Sequence, residues 1–93
     1  MLFVALYTMK PGVSTAQSLK ARMEWKPPEG MKPIAEYWLQ NSTPHIIVVF
    51  EADNIAQLMA ANMPWRDLCD ITVTPAVTAE QGLELAKQMM PKA

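Results

Sequence analysis

The sequence predicts an α+β domain: a four-stranded antiparallel sheet with two helices on one face and a third helix at the C-terminus. Three observations lead there. Ile46 to Phe50 is an apolar run without glycine that stops at Glu51, which reads as a strand buried on both faces. Leu2 to Met9 is a second such run, with Leu2, Val4 and Leu6 on one side and Phe3, Ala5, Tyr7 and Met9 on the other. Helix-start signatures at Ser14, Asn54 and Thr78 then alternate with the strands.

Taken in order, Leu2 to Met9 is the first strand, and Lys10-Pro11-Gly12 ends it. Ser14-Thr15-Ala16-Gln17 has the form of a capping box and opens a helix to about Trp25, with Ala16, Leu19 and Met23 as its apolar stripe. Lys26-Pro27-Pro28-Glu29-Gly30 cannot continue that helix. The second strand is Pro33 to Gln40, with Ile34, Glu36 and Trp38 on one face and Ala35, Tyr37 and Leu39 on the other. Asn41-Ser42-Thr43-Pro44 turns the chain into the third strand, so these two form a hairpin. Asn54 caps a second helix, whose inner stripe reads Ile55, Leu58, Met59 and Asn62 or Met63. Pro64 interrupts it and suits the first position of a further turn. Asp70 to Thr74 is the fourth strand, and Pro75 suits its end or an edge. Thr78-Ala79-Glu80-Gln81 repeats the capping pattern and opens a helix with Leu83, Leu85, Ala86 and Met89, ending near Met90-Pro91. The order β-α-β-β-α-β plus a terminal helix is the ferredoxin-like plan.

Residues 1–93 make one domain, too short to bury more than about two-thirds of its unfolded surface. Net charge is −1 and no basic block occurs, which argues against a nucleic-acid partner. A single cysteine, Cys69, leaves no intramolecular disulfide and no cysteine-based metal site, and it reads as a small buried residue. The apolar start, Met1 to Met9, is too short to span a bilayer and lacks the flanks of a signal peptide. The expectation is a cytoplasmic protein without membrane contact.

Hydrophobic residues are 51% of the chain and charged ones 18%. Two helices cover one face of a ferredoxin-like sheet, so the other face should be polar. The first and third strands are apolar on both faces instead. The expected cover is the same face of a second copy, giving an isologous homodimer. The alternative is that the third helix folds back over the open face.

A resemblance follows from residues along nearly the whole chain: Trp25, Pro28, Gly30, Trp38, Glu51, Asp53, Trp65, Asp67, Leu68 and Pro75-Ala76-Val77. With these the chain resembles the dimeric α+β barrel superfamily, and more closely a small prokaryotic family of that type with no known function. The resemblance implies two ferredoxin-like subunits pairing their sheets into a barrel. It implies no particular activity.

The candidate chemistry is sparse. His45, the sole histidine, suits a general base or metal ligand, but no second ligand lies at metal spacing, and a solvated turn residue is the favoured reading. Glu36 lies about 7 Å along the strand from Trp38. Enclosed by apolar walls, it would have a raised pKa and act as a proton acceptor; pairing with a lysine at the sheet edge is the favoured alternative. His45 and Glu51 stand about 20 Å apart along the strand and form no dyad. Asp53 and Asn54 read as helix caps. Tyr7, Trp38 and Trp65, together with Trp25 and Tyr37, suit the lining of a pocket for a planar ligand, with Arg22 or Arg66 supplying charge. Ordinary packing is the competing reading.

Two functions fit these residues. One is a homodimeric binding module for a small hydrophobic molecule or a partner, with no cofactor and no metal. The other is a cofactor-independent enzyme of the monooxygenase or isomerase kind acting on a planar substrate, as the barrel resemblance implies. Haem-degrading relatives carry a helical histidine and an asparagine on an early strand. His45 sits at a strand start here and Leu2 to Met9 holds no asparagine, so haem is not expected.

Overall fold

A computed structural model describes residues 1–41 and 43–90. Its elements are β1 (Leu2–Met9), α1 (Thr15–Glu24), β2 (Lys32–Trp38), β3 (Ile46–Glu51), α2 (Ile55–Asn62), a 3-10 turn (Met63–Trp65), β4 (Cys69–Ala76) and α3 (Ala79–Met89). The strands lie in the order β2-β3-β1-β4, and every neighbouring pair is antiparallel. This is the ferredoxin-like arrangement with an added C-terminal helix. Ser42 in the expected hairpin turn and Pro91 after the last helix lie outside the described residues.

Local signals set the helix starts. Ser14 and Gln17 form a reciprocal capping box, with each backbone N–H donating to the other's side chain, and Thr78 and Gln81 do the same at α3. Asn54 caps α2 by accepting from the Gln57 N–H. The strand ends differ more from expectation. β4 runs on through Pro75, which pairs with Phe3. A proline is tolerated there because β4 is an edge strand.

Both helical stripes are displaced from the expected ones. α2 buries Leu58, Ala61 and Asn62, while Ile55, Met59 and Met63 are exposed. Asn62 goes inside because its side chain accepts from the Tyr7 hydroxyl at 2.7 Å. α1 buries none of its residues, and Met23 is 82% exposed. Its half-covered side is Ser18, Ala21, Arg22 and the C-cap Trp25, a helical stripe masked in the sequence by a serine and an arginine.

The core lies on the helix side of the sheet. Phe3, Ala5 and Tyr7 of β1 and Phe50 of β3 face Leu58, Ala61 and Trp65. Phe3 and Phe50 pair across the strands with ring centres 6.0 Å apart. On the other side of the sheet Val4, Leu6, Ile47 and Val49 remain half-exposed. α3 does not cover them: it buries no residue, and Leu83, Leu85, Met89 and Met90 are exposed. The alternative in which the third helix folds back is therefore not the arrangement found. The molecule measures 56 × 30 × 17 Å, with a radius of gyration of 15.9 Å against about 12 Å for a compact chain of this length.

Gly12 and Gly30 share a positive φ, +87° and +86°. A side chain at Gly12 meets nothing, whereas a Cβ at Gly30 would collide with the Gln57 carboxamide. Gly12→Ala is expected to cost only the backbone term, about 1–2 kcal/mol. Gly30→Ala should cost more, read as a larger drop in urea midpoint in parallel denaturation curves.

Candidate functional site

α1 is held off the sheet by large side chains, and a cleft opens between it, β2 and β3. Its volume is about 110 Å³, and it is about half open to solvent. Ile46 and Val48 of β3 form the floor, and Tyr7, Trp25, Met31 and Trp65 form most of the wall. Tyr7 comes from β1, where alternation turns it to the helix side with Phe3 and Ala5. Its ring meets Trp65 edge-on, with centres 6.3 Å apart. Trp65 is placed by the 3-10 turn Met63–Trp65, with Pro64 in its first turn. Trp25, the C-cap of α1, donates its indole N–H to the Ala61 carbonyl at 3.0 Å and so ties α1 to α2. Met31 follows Gly30, whose φ turns the loop back towards the sheet.

One corner of the cleft is ionic. Arg22 Nη2 donates to Glu36 Oε1 at 2.8 Å, and Arg22 Nε donates to Oε2 at 3.0 Å. Trp38 Nε1 donates to Oε2 at 2.6 Å. The Arg22 guanidinium also stands 5.5 Å from the centre of the Trp25 ring. Glu36 and Trp38 thus share one face of β2, as the strand alternation predicts. A bulge between Pro33 and Ala35 takes Ile34 out of the ladder.

The charge states follow from these contacts. Hydrogen bonds from Arg22 hold the Glu36 carboxyl below the usual carboxylate range, against the opposing effect of burial, and Trp38 adds to the lowering. The expected raised pKa is therefore corrected: the walls are apolar, but the guanidinium outweighs them. The partner is also an arginine of α1, not a lysine at the sheet edge. Burial pushes the Tyr7 phenol up to about 12, with the Cys69 and Glu36 charges adding to it. Burial likewise raises the Cys69 thiol, whose sulfur lies 3.5 Å from that of Met9.

Of the residues singled out in the sequence, Tyr7, Arg22, Trp25, Glu36 and Trp65 line this cleft, while Arg66 lines a separate recess beside α2 and β4. Trp38 reaches it through Glu36, and lines a neighbouring recess of about 310 Å³ with His45 and Arg22. His45 is not a solvated turn residue. It is half-buried, and its Nδ1 accepts from the Met9 N–H at 3.0 Å, which continues the β1–β3 contact beyond the ladder. Tyr37 stands on the opposite side of β2 and is 58% exposed. Glu51 ends β3 opposite Lys32, far along the sheet from Glu36. Sequence reasoning gave Met31 and Asn62 no place in the site. The buried polar Asn62 had a signal in its position one turn after Leu58, whereas Met31 enters only through the turn at Gly30. Among the described residues no three metal-ligating side chains cluster, and no helix is long and apolar enough to cross a membrane.

The sequence pattern that describes DUF3303, a domain of unknown function, matches residues 1–90. The chain belongs to this family. No curated protein and no solved structure gives a match. In this DUF3303 domain the Arg22–Glu36 pair is the principal ionic contact between α1 and the sheet, and it has a pH signature. The folded carboxyl titrates below its unfolded value, so its contribution is complete above that value and is lost as pH falls through the folded one. Both side chains are partly exposed, at 37% and 23%, so about 1 kcal/mol or less is at stake. The stability gap between wild type and Glu36→Gln should stay level at neutral pH and close as pH falls below the ordinary 4.5. Urea midpoints measured against pH check this.

Proposed function

We propose that this domain binds a small planar hydrophobic molecule in the cleft under α1, and that it works as a homodimer joined through the open sheet face. The observation that carries the ligand reading is the cleft itself. A small protein ordinarily closes its interior to near-crystalline density. Here three aromatic rings and Met31 line a half-open cleft beside one ionic corner. Apolar walls with few polar groups are the usual make-up of a small-molecule site.

Binding is favoured over the monooxygenase- or isomerase-like alternative by the state of the two titratable groups. Glu36 is a weak base when its carboxylate is clamped by a guanidinium. Tyr7 keeps its proton far above neutral pH and donates it in a hydrogen bond to Asn62 Oδ1. Neither is tuned for proton transfer near pH 7.

Purified protein examined by native mass spectrometry is expected to retain an apolar small molecule, and Trp65→Ala should lose it. A chain that carries nothing and whose indole resonances are unmoved by any aromatic probe would overturn the ligand reading. The dimer reading is supported by the half-exposed Val4, Leu6, Ile47 and Val49. In sedimentation equilibrium at micromolar concentration, wild type should weigh as two chains and Leu6→Glu as one. A monomeric wild type rejects it.

A further inference from the structure

Glu36 is the group in the cleft whose chemistry reaches past simple hydrophobic binding. We propose that Glu36 sets the charge class of the ligand: by neutralising Arg22 in place, it makes the cleft select an uncharged aromatic molecule over an aromatic anion. This rests on the reading of the cleft as a ligand site.

An arginine beside aromatic rings is by itself a carboxylate receptor, because its planar fork matches a carboxylate bidentately. In this cleft the Nε–Nη2 fork is already filled. Nε and Nη2 both point at Glu36, and the remaining Glu36 oxygen capacity is taken up by Trp38. Arg22 and Glu36 are the only charged side chains among the described residues lining the cleft, so its net charge is zero. A ligand carboxylate has two options. It can displace Glu36, which then keeps only the Trp38 N–H in a half-buried position. Or it can take the free Nη1 edge of a guanidinium whose charge Glu36 already neutralises, and lose its water for a cation it must share. Both are costly.

An uncharged ring meets neither cost. Arg22 Nη1 makes no hydrogen bond among the described residues, which leaves a donor for a hydroxyl or carbonyl oxygen on the ring. The cleft volume of about 110 Å³ is below the roughly 150 Å³ of a cavity that takes benzene, so at most one ring enters it and part of that ring stays at the mouth. The geometry therefore fits a single uncharged aromatic ring bearing a neutral oxygen, with any longer substituent left outside the cleft.

The test uses three probes of one size, benzyl alcohol, benzoate and benzylammonium, titrated into full-length wild type, Glu36→Gln and Arg22→Gln. The indole N–H resonances of Trp25 and Trp65 report binding. Wild type is expected to bind benzyl alcohol best. Glu36→Gln should raise benzoate about tenfold relative to benzyl alcohol, because the fork is then open. Arg22→Gln should favour benzylammonium by a similar factor.

The inference fails if wild type prefers benzoate. It also fails if Glu36→Gln, folded by its own spectrum, keeps the wild-type ranking. In both cases the indole shifts persist and the cleft remains a ligand site. If no probe moves either indole in any of the three proteins, the cleft reading fails and the inference falls with it. If Glu36→Gln does not fold, the wild-type ranking and the Arg22→Gln response decide.

Discussion

The Arg22–Glu36 contact is the constraint on which the ionic corner of the cleft and the seat of α1 on β2 depend. α1 has no fully buried residue, and only Ala21 and the C-cap Trp25 bring apolar surface to the core. Two side-chain links help to set its distance from the sheet. Arg22 holds α1 to β2, and the indole N–H of Trp25 holds its end to the Ala61 carbonyl. Both are long side chains reaching across a gap, and the gap is the cleft. Shorter or apolar residues at these positions would let α1 settle onto Ile46 and Val48.

The two faces of the sheet are solved differently. On the helix side Phe3, Ala5, Tyr7 and Phe50 are buried within one chain. On the other side the same strands present Val4, Leu6, Ile47 and Val49, none of which is fully buried among the described residues. α3 adds to that imbalance. It is well capped at its start, yet Leu83, Leu85 and Met89 stay exposed along it. Eleven residues are marginal as an isolated helix, so the capping box at Thr78 carries more of its stability than a cap does in a packed helix.

The fold was legible where local chemistry decides it. The capping boxes at Ser14 and Thr78, the cap at Asn54 and the alternation in β1 each depend on residues a few positions apart. The inner faces of α1 and α2 were less legible, because a stripe drawn from apolar residues alone passes over Arg22 and Asn62. Each turns inward only for a partner far along the chain, Glu36 in one case and Tyr7 in the other. The same is true of the site. Tyr7, Arg22, Glu36 and Trp65 were visible as residue types, but the sign of the Glu36 shift was not, since it depends on which cation arrives. His45 illustrates the limit most simply: its role is set by the Met9 backbone, which no spacing rule connects to it.

The Tyr7–Asn62 bond has a consequence for the cleft as a whole. It closes off the phenol, whose proton stays on until about pH 12, while Glu36 is ionised from below the usual carboxylate range and Arg22 is raised above its own ordinary value. The cleft walls consequently keep a single protonation state across the whole span in which the protein would work. Down to the ordinary carboxylate range, acidification leaves their electrostatics unchanged, so acid sensitivity above that range in what the cleft holds originates in the guest.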